Sequence, residues 1–114
     1  MVIQRKSCPD LTVRTANTFL QRLKGLLFTD SLPAHTGLLL ENCNSIHMFG
    51  MRYALDIVFV DKDFRICKIV KNLKPWHIAG CLRARHTIEL PAGTIEEYQF
   101  KVGDFIKADS GIYE

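Results

Sequence analysis

The sequence is poor in the features that mark fibrous, disordered or membrane-spanning chains. Seven glycines and four prolines among 114 residues are too few for a collagenous or linker-rich chain. No apolar run approaches the roughly 20 residues that a membrane span requires, so we expect no membrane partner. The apolar fraction of 47% and the charged fraction of 24% are those of an ordinary globular protein.

The chain lacks the cysteine spacing of the commonest zinc signatures. The four cysteines are Cys8, Cys43, Cys67 and Cys81, and no two of them form a C-x2-C pair. The residues after Met1 lack the apolar stretch of a secretory signal. We therefore expect a cytoplasmic location and free thiols in a reducing compartment, with two disulfides as the alternative.

The charge of the chain is modest but uneven. A net charge of +3 does not demand a polyanionic partner, yet residues 62–85 hold seven basic side chains and one acid, Asp63. The simplest interpretation is a solvated face, and nucleic-acid binding through residues 62–85 is an alternative. Two points argue against nucleic acid: basic residues at every third position alternate between the faces of a strand, and interleaved aromatic residues are lacking.

Hydrophobic periodicity predicts one helix near the N-terminus. Apolar residues at 16, 19, 20, 23, 26 and 27 have the spacing of an amphipathic helix. Residues 1–10 are polar, and we expect them to form a loosely ordered tail.

The rest of the chain predicts short strands separated by turns. Segments 11–15, 37–41, 55–61, 86–90 and 98–102 alternate or are rich in β-branched and aromatic residues. Residues 64–73 fit a helix or a strand, and the turn at 61–63 favours a hairpin. The pattern predicts a single α+β domain over residues 1–114, with its core at about 11–108. We expect a mainly antiparallel, small barrel-like sheet with one short N-terminal helix.

Two carboxylates interrupt otherwise apolar strands. Burying an unpaired carboxylate is costly, so Asp56 needs a partner, and Arg52 and Arg22 are candidates. Glu89 interrupts its strand in the same way. Polar residues beside apolar strands commonly line a small binding cleft. The candidate ligand-binding residues are His47, Met51, Arg52, Asp56, Trp76 and Glu89.

Thiols and imidazoles offer a second constellation. Cys43-x3-His47 and His77-x3-Cys81 together contain a Cys2His2 set, which are ligand types that zinc prefers. The spacing is not diagnostic, since free cysteine also packs as a small hydrophobic residue, so we predict no metal and no cofactor. A cysteine nucleophile beside His47 or His86 is a further alternative.

The leading functional hypothesis is a ligand- or protein-binding module without catalytic activity, with a small polar ligand or a protein as its partner. No nucleophile–base set, phosphate loop or diagnostic metal motif is visible in the sequence. The rival hypothesis is an enzyme acting on a polar or carbohydrate substrate, with Asp56 and Glu89 as acid and base. That chemistry requires the two carboxyl groups to lie roughly 5–9.5 Å apart across a cleft.

A set of ordered landmarks resembles a known family, catalogued as domain of unknown function 192. The landmarks run through most of the chain: Arg22-x-x-Gly25-Leu26, Met51-Arg52, Leu55-Asp56-Ile-Val-Phe59, Glu89-Leu-Pro91-Ala-Gly93 and Gly103-Asp104. The resemblance implies a compact, mainly β, barrel-like fold with a short helix near the N-terminus. It implies no established reaction, cofactor or catalytic residue. We expect structural roles for Arg22, Gly25, Pro91, Gly93, Gly103 and Asp104.

Overall fold

Eight strands and one helix make up the regular structure that the computed structural model describes, over residues 1–16 and 31–106. In chain order they are β1 (Val2–Ile3), β2 (Leu11–Thr15), β3 (Thr36–Leu40), β4 (Ser45–His47), β5 (Leu55–Val60), β6 (Ile66–Leu73), β7 (Ile78–Gly80), β8 (His86–Pro91) and α1 (Thr94–Tyr98). The predicted N-terminal helix, with Arg22 and Gly25, falls on residues outside the described part except for its first residue, Ala16. No helix in the described ranges has the length and apolar character to cross a membrane.

Six strands form one mixed sheet in the order β1-β2-β3-β8-β5-β6. Every neighbouring pair is antiparallel except β2 and β3, which run parallel. The expectation of a mainly β fold is confirmed. A closed barrel is not found in the described residues, because β4 and β7 pair only with each other in a separate sheet. The barrel-like prediction is therefore corrected to an open sheet with a small second sheet.

The six-stranded sheet is covered on both faces, which explains the unbroken apolar run in β5. Side chains along a strand point alternately to the two faces. Val58 and Val60 join the core cluster that contains α1, whereas Ile57 and Phe59 join the cluster that contains residues of β4. We call these two surfaces the α1 face and the β4 face. A central strand with both faces buried reads as a continuous hydrophobic segment.

The strand predicted over residues 98–102 is instead the end of a helix and a turn. Helix α1 runs from Thr94 to Tyr98 and ends at Gln99, whose φ is 55°. This left-handed residue reverses the chain, so Tyr98 and Phe100 both point into the α1 face and stack at a centroid distance of 5.8 Å. The i, i+2 burial that resembles a strand in the sequence therefore comes from a helix terminus. The one helix of the described residues is C-terminal.

Residues 1–10, predicted as a tail, contain the edge strand β1. The N-terminal amine of Met1 donates to the Val13 carbonyl at 2.9 Å, and Val2 pairs with Thr12. Ile3 is buried on the α1 face. These contacts complete the sheet edge beside β2.

Candidate functional site

Asp56 lies on β5 opposite a β-bulge in β6. Leu55 pairs with Leu73 and Ile57 with Val70, so two residues of β6 face Asp56 alone. A bulge leaves a backbone amide without its ladder partner. Here the N–H of Asn72, a residue with φ of 56°, donates to Asp56 Oδ1 at 2.8 Å. The carboxylate therefore accepts the hydrogen bond of an amide that the bulge leaves without a partner in the sheet.

The other oxygen of Asp56 holds the start of α1. The N–H groups of Gly93 and Ile95 donate to Asp56 Oδ2 at 3.0 and 2.9 Å. Gly93 has a φ of 94°, a left-handed conformation that glycine adopts without penalty. Hydrogen bonds to an ionised acceptor are among the stronger ones, and Asp56 is only 1% exposed. This carboxylate is a structural link between β5, β6 and α1.

The predicted cleft containing both carboxylates is not formed. Glu89 pairs with Leu38 on one side and Ile57 on the other, and both neighbours belong to the β4 face. Asp56 pairs with Leu90, which belongs to the α1 face. Glu89 and Asp56 are both buried, but on opposite faces of the sheet, because side chains alternate between the faces along a strand. The geometry gives no support to a paired-carboxylate enzyme.

Two other predicted cleft residues, Met51 and Arg52, differ from Asp56 in the face they occupy or in their burial. Met51 is buried in the β4 face, and its N–H donates to the Met48 carbonyl at 3.2 Å. Arg52 is exposed, whereas the Asp56 oxygens accept from backbone amides. Among the described residues, the partners of Asp56 are therefore backbone N–H groups and not the predicted arginine side chain. Arg22, the other predicted partner, lies outside the described residues.

The structure does bring two predicted binding residues together through a residue that the sequence did not single out. The rings of His47 and Phe49 lie 4.9 Å apart between centroids. Phe49 then stacks on Trp76 at 5.8 Å with an interplanar angle of 27°. Phe49 is 49% exposed and Trp76 is 67% exposed, and Ile78 beside them is 69% exposed. We call these four residues the aromatic surface.

Backbone hydrogen bonds hold the aromatic surface in place. The N–H of Met48 donates to the His77 carbonyl, and the N–H of Trp76 donates to the Met48 carbonyl, both at 2.9 Å. His47 pairs with Ile78 in the β4–β7 sheet. Met48 itself is fully buried in the β4 face. A buried methionine thus anchors a segment whose neighbouring rings face outward.

The segments that carry the aromatic surface have charges of one sign. Residues 42–54 and 74–85 contain no aspartate or glutamate. Their four full cations are all exposed, namely Arg52, Lys74, Arg83 and Arg85. The aromatic surface is therefore surrounded in sequence by positive charge that no acid of the same segments neutralises.

The Cys2His2 candidates do not assemble into a metal site. In the described residues no group of three or more His, Cys, Asp or Glu side chains is close enough to hold a metal ion. Cys43 Sγ donates to the Ser45 carbonyl at 3.1 Å. Cys81 Sγ instead contacts Cys67 Sγ at 3.6 Å. His77 is exposed next to Trp76.

His86, the other imidazole considered as a base, is engaged by backbone and ring contacts. Its Nδ1 accepts from the Asn42 N–H at 3.1 Å, so the neutral ring carries its proton on Nε2. Phe64 stacks on it at 4.9 Å. Burial lowers the pKa of His86 from 6.5; Glu41 opposes this shift in part, and Arg85 adds a smaller lowering effect.

The remaining landmark residues lie at turns and at a strand end. Pro91 ends β8 opposite Leu55. Gly103 has a φ of 97°. Asp104 Oδ2 accepts from the Lys101 N–H at 3.1 Å and from Arg5 Nη2 at 3.3 Å. Asp104 thus closes its own turn and ties it to the N-terminal segment.

A comparison of the sequence with protein-family models identifies the family of the chain. The model of domain of unknown function 192 (DUF192), described as an uncharacterized ACR, matches residues 1–108. The chain belongs to the DUF192 family. Its relatives carry the name UPF0127, and no activity is part of that name.

Two relatives from the DUF192 family illustrate the similarity. The UPF0127 protein PH1112 of Pyrococcus horikoshii is 38% identical over 103 residues, which cover 83% of this chain and 85% of that protein. A UPF0127 protein of Thermococcus sibiricus is 33% identical over 106 residues, covering 82% of this chain and 64% of that protein. The second relative is therefore considerably longer than the matched region.

Two solved structures share the fold. A protein of unknown function from Novosphingobium aromaticivorans superposes with a TM-score of 0.76 at 22% identity, covering 94% of this chain and 82% of that one. A protein from Sinorhizobium meliloti, described as a putative transcription regulator, superposes with a TM-score of 0.77 at 25% identity. That match covers 93% of this chain and 89% of the other.

Sequence reasoning missed Phe49 and Ile78 as members of the DUF192 candidate site. Three-residue strands such as β4 and β7 are too short to display a period, so their pairing leaves no local signal. The available signal was compositional: Phe49 and Trp76 are large aromatic residues in segments without acids. Their proximity is a property of the tertiary fold.

Proposed function

We propose that this DUF192 protein is a non-catalytic module that binds another protein through the aromatic surface. The observation that carries the proposal is the exposure of stacked rings. Phe49 and Trp76 lie against each other, yet both keep about half or more of their surface in solvent. Gathered apolar side chains that remain exposed mark interaction sites on soluble proteins.

The exposure of the rings favours a protein partner over a small molecule. Sites for small ligands are concave and enclose most of the ligand, whereas Trp76 and Ile78 are each about two-thirds exposed. Protein interfaces are enriched in aromatic residues and arginine. Tryptophan is also over-represented among the few residues that dominate binding energy.

Charge indicates the chemistry of the partner. The segments around the aromatic surface carry four exposed cations and no acid. Complementary charge accelerates association and selects among partners. The expected partner segment therefore presents carboxylates interleaved with aromatic or aliphatic side chains.

A fluorescence titration tests the proposal, because Trp76 is the only tryptophan of the chain. The probe is a synthetic peptide in which glutamate alternates with leucine and phenylalanine, free of tryptophan. We expect a saturable change in Trp76 emission. A second peptide with glutamine in place of glutamate should bind more weakly, because it lacks the charge that the cations attract.

A matched pair of variants separates this surface from general stickiness. Phe49→Ala removes a ring of the stack, and Phe105→Ala removes a phenylalanine that is equally exposed at 49% but contacts Arg65 instead. We expect Phe49→Ala to weaken binding about tenfold or more, the loss typical of a dominant interface residue. Phe105→Ala should leave it unchanged. Equal losses in both variants, or no binding by the wild type, would contradict the proposal.

Single-stranded nucleic acid is the second candidate partner, favoured by one specific observation. Stacking rings beside exposed cations are the combination that sequence-independent single-strand binders use, and the fold sets Phe49 against Trp76, the tryptophan of residues 62–85. The similar Sinorhizobium meliloti protein is described as a putative transcription regulator. Here the probe is oligothymidylate. Affinity that exceeds that of the acidic peptide and falls steeply with salt would favour this candidate over a protein partner.

A further inference from the structure

Two cysteines, one in the large sheet and one next to the small sheet, lie side by side. Cys67 is on β6 of the large sheet, and Cys81 directly follows β7 of the small sheet. Cys81 Sγ donates to Cys67 Sγ at 3.6 Å. Both residues are half-buried and reduced. Since a disulfide has an S–S bond of about 2.05 Å, the sulfurs need to approach by only roughly 1.5 Å.

Surrounding contacts keep this pair together. Lys68 Nζ donates to the Gly80 carbonyl at 2.8 Å, which fixes the end of β7 against β6. The N–H of Cys81 donates to the Asn44 carbonyl at 2.9 Å. Cys67 Sγ contacts the Phe59 carbonyl at 3.4 Å. The two thiols are thus held close together by backbone and lysine hydrogen bonds as well as by contacts of the sulfur atoms.

The other two cysteines lack such an arrangement. Cys8 Sγ contacts the Glu97 carbonyl at 3.6 Å, and Cys43 Sγ donates to the Ser45 carbonyl at 3.1 Å. Among the described contacts, the thiol–thiol approach is specific to Cys67 and Cys81. Cys8 and Cys43 therefore serve as internal controls.

We propose that Cys67 and Cys81 form a modification site at which a low-molecular-weight disulfide drives formation of an intramolecular disulfide bond. The Cys81 thiolate attacks one sulfur of the oxidant, whose S–S bond breaks and releases one thiolate. Cys67 then attacks the Cys81 sulfur of the mixed disulfide and releases the second thiolate. The protein loses two protons and two electrons, and the oxidant becomes two thiols. The bond joins the small sheet, which carries the aromatic surface, covalently to the large one.

The local electrostatics set the order of these steps. Burial raises the pKa of Cys67 from 9.0 to about 11, with further raising effects from Cys81 and Asp61 and an opposing effect of Arg83. Cys67 Sγ also donates to the Phe59 carbonyl at 3.4 Å, which keeps it in the thiol form. Because the thiolate is the nucleophile, Cys67 is disfavoured as the first attacking group, and we assign the first attack to Cys81. When Cys81 carries the mixed disulfide, its hydrogen bond and charge no longer act on Cys67. The second attack then becomes easier.

Peptide mapping tests the proposal on the full chain. The protein is fully reduced, freed of reductant, incubated with glutathione disulfide at neutral pH and alkylated with iodoacetamide before digestion. We expect a linked peptide that contains Cys67 and Cys81, with Cys8 and Cys43 alkylated. The link should disappear after dithiothreitol treatment. The Cys8→Ser, Cys43→Ser double variant should give the same linked peptide.

Three results would overturn the proposal, and all can be seen in the wild-type protein. They are a link that involves Cys8 or Cys43, a glutathione adduct that persists at Cys81 without resolution, and complete alkylation of all four thiols. The Cys67→Ser variant sharpens the test, because it should stop at the Cys81 adduct. Circular dichroism checks that this variant is folded, and the wild-type map decides the question if it is not.

Discussion

Asp56 and Glu89 lie on the neighbouring strands β5 and β8, one register position apart, with their carboxylates on opposite faces of one sheet. The two carboxylates therefore have different surroundings on the two faces of the sheet. On the α1 face, Asp56 joins a bulge to a helix start. On the β4 face, Glu89 is buried in the same core layer as Met48, which anchors the aromatic surface. The two acids belong to separate structural layers.

Replacing Asp56 tests the first of these roles. Asp56→Ala leaves the N–H groups of Asn72, Gly93 and Ile95 without their acceptor. The bond from Ile95 is buried, and those from Asn72 and Gly93 are part-buried. A buried unsatisfied donor costs about 1–3 kcal/mol and a partly solvated one costs less, so we expect the free energy of unfolding to fall by about 2–4 kcal/mol. Urea denaturation monitored by circular dichroism measures the loss.

Asp63 supplies the matched control for that experiment. It is an exposed aspartate whose own N–H donates to Asp61 Oδ1 at 2.9 Å. Asp63→Ala should change stability by no more than about 0.5 kcal/mol, as is usual for surface sites. A similar loss in both variants would mean that the Asp56 network is not what stabilises the fold.

The hydroxyl of Tyr98 links α1 to the N-terminal segment. It donates to the Pro9 carbonyl at 2.7 Å and contacts His35 Nδ1 at 3.0 Å. Tyr98→Phe keeps the ring in the core but leaves the Pro9 carbonyl without this donor. We expect a loss of about 1–2 kcal/mol and faster amide exchange in β1, measured by NMR. Unchanged exchange in β1 would show that Tyr98 does not hold this segment.

Stability should depend on pH through His86. Because its folded pKa lies below 6.5, the unfolded chain binds more protons just below pH 6.5. The contribution of the neutral His86 to the free energy of unfolding is therefore complete above pH 6.5, and it is lost as the pH falls toward the folded pKa. Urea midpoints measured from pH 7.5 downward should decline in this window, apart from any effect of other groups.

A pair of histidine variants isolates that contribution. His86→Phe retains an aromatic ring for the stack with Phe64 and removes the titrating group, so the decline below pH 6.5 should be smaller. His77→Phe replaces an exposed ring and should leave the decline as in the wild type. If His77→Phe flattened the profile instead, the assignment to His86 would be wrong.

The predictable parts of the fold are those with local signals. The segment Leu55–Val60 is apolar and β-branched over its whole length, and it forms the central strand β5. The pattern at Tyr98 and Phe100 suggested a strand, because a left-handed Gln99 reproduces the spacing of a strand. A period of two residues is thus informative only when the backbone between them is extended.

The candidate site was less predictable because its defining contacts are non-local. The prediction that Asp56 has a hydrogen-bonding partner is confirmed, but a sequence does not show which backbone amides will reach a side chain. Likewise, Phe49 meets Trp76 only because two three-residue strands pair. Charge was the exception, since the absence of acids around these rings can be counted directly in the sequence.

Replacing each of two strand glycines with alanine should change the stability of the protein in opposite directions. A Cβ on Gly37 would lie 2.7 Å from Leu90 Cδ2 and 3.2 Å from the Glu89 carbonyl oxygen, inside the core. Overpacking of this kind costs about 1–3 kcal/mol, which exceeds the roughly 0.5–1 kcal/mol that alanine gains over glycine in a strand. Gly37→Ala should therefore destabilise the protein.

At Gly80 the balance reverses, because the nearest atom to an added Cβ is the Asn44 carbonyl oxygen at 3.4 Å, an ordinary contact distance. Gly80→Ala should then stabilise the protein by about 0.4–1 kcal/mol through the reduced entropy of the unfolded chain. Urea denaturation of Gly37→Ala and Gly80→Ala under one set of conditions measures both signs. Destabilisation by Gly80→Ala comparable to that of Gly37→Ala would mean that β7 is packed as tightly as β3. In that case the small sheet would be an integral part of the core, and the disulfide at Cys81 would have little freedom to form.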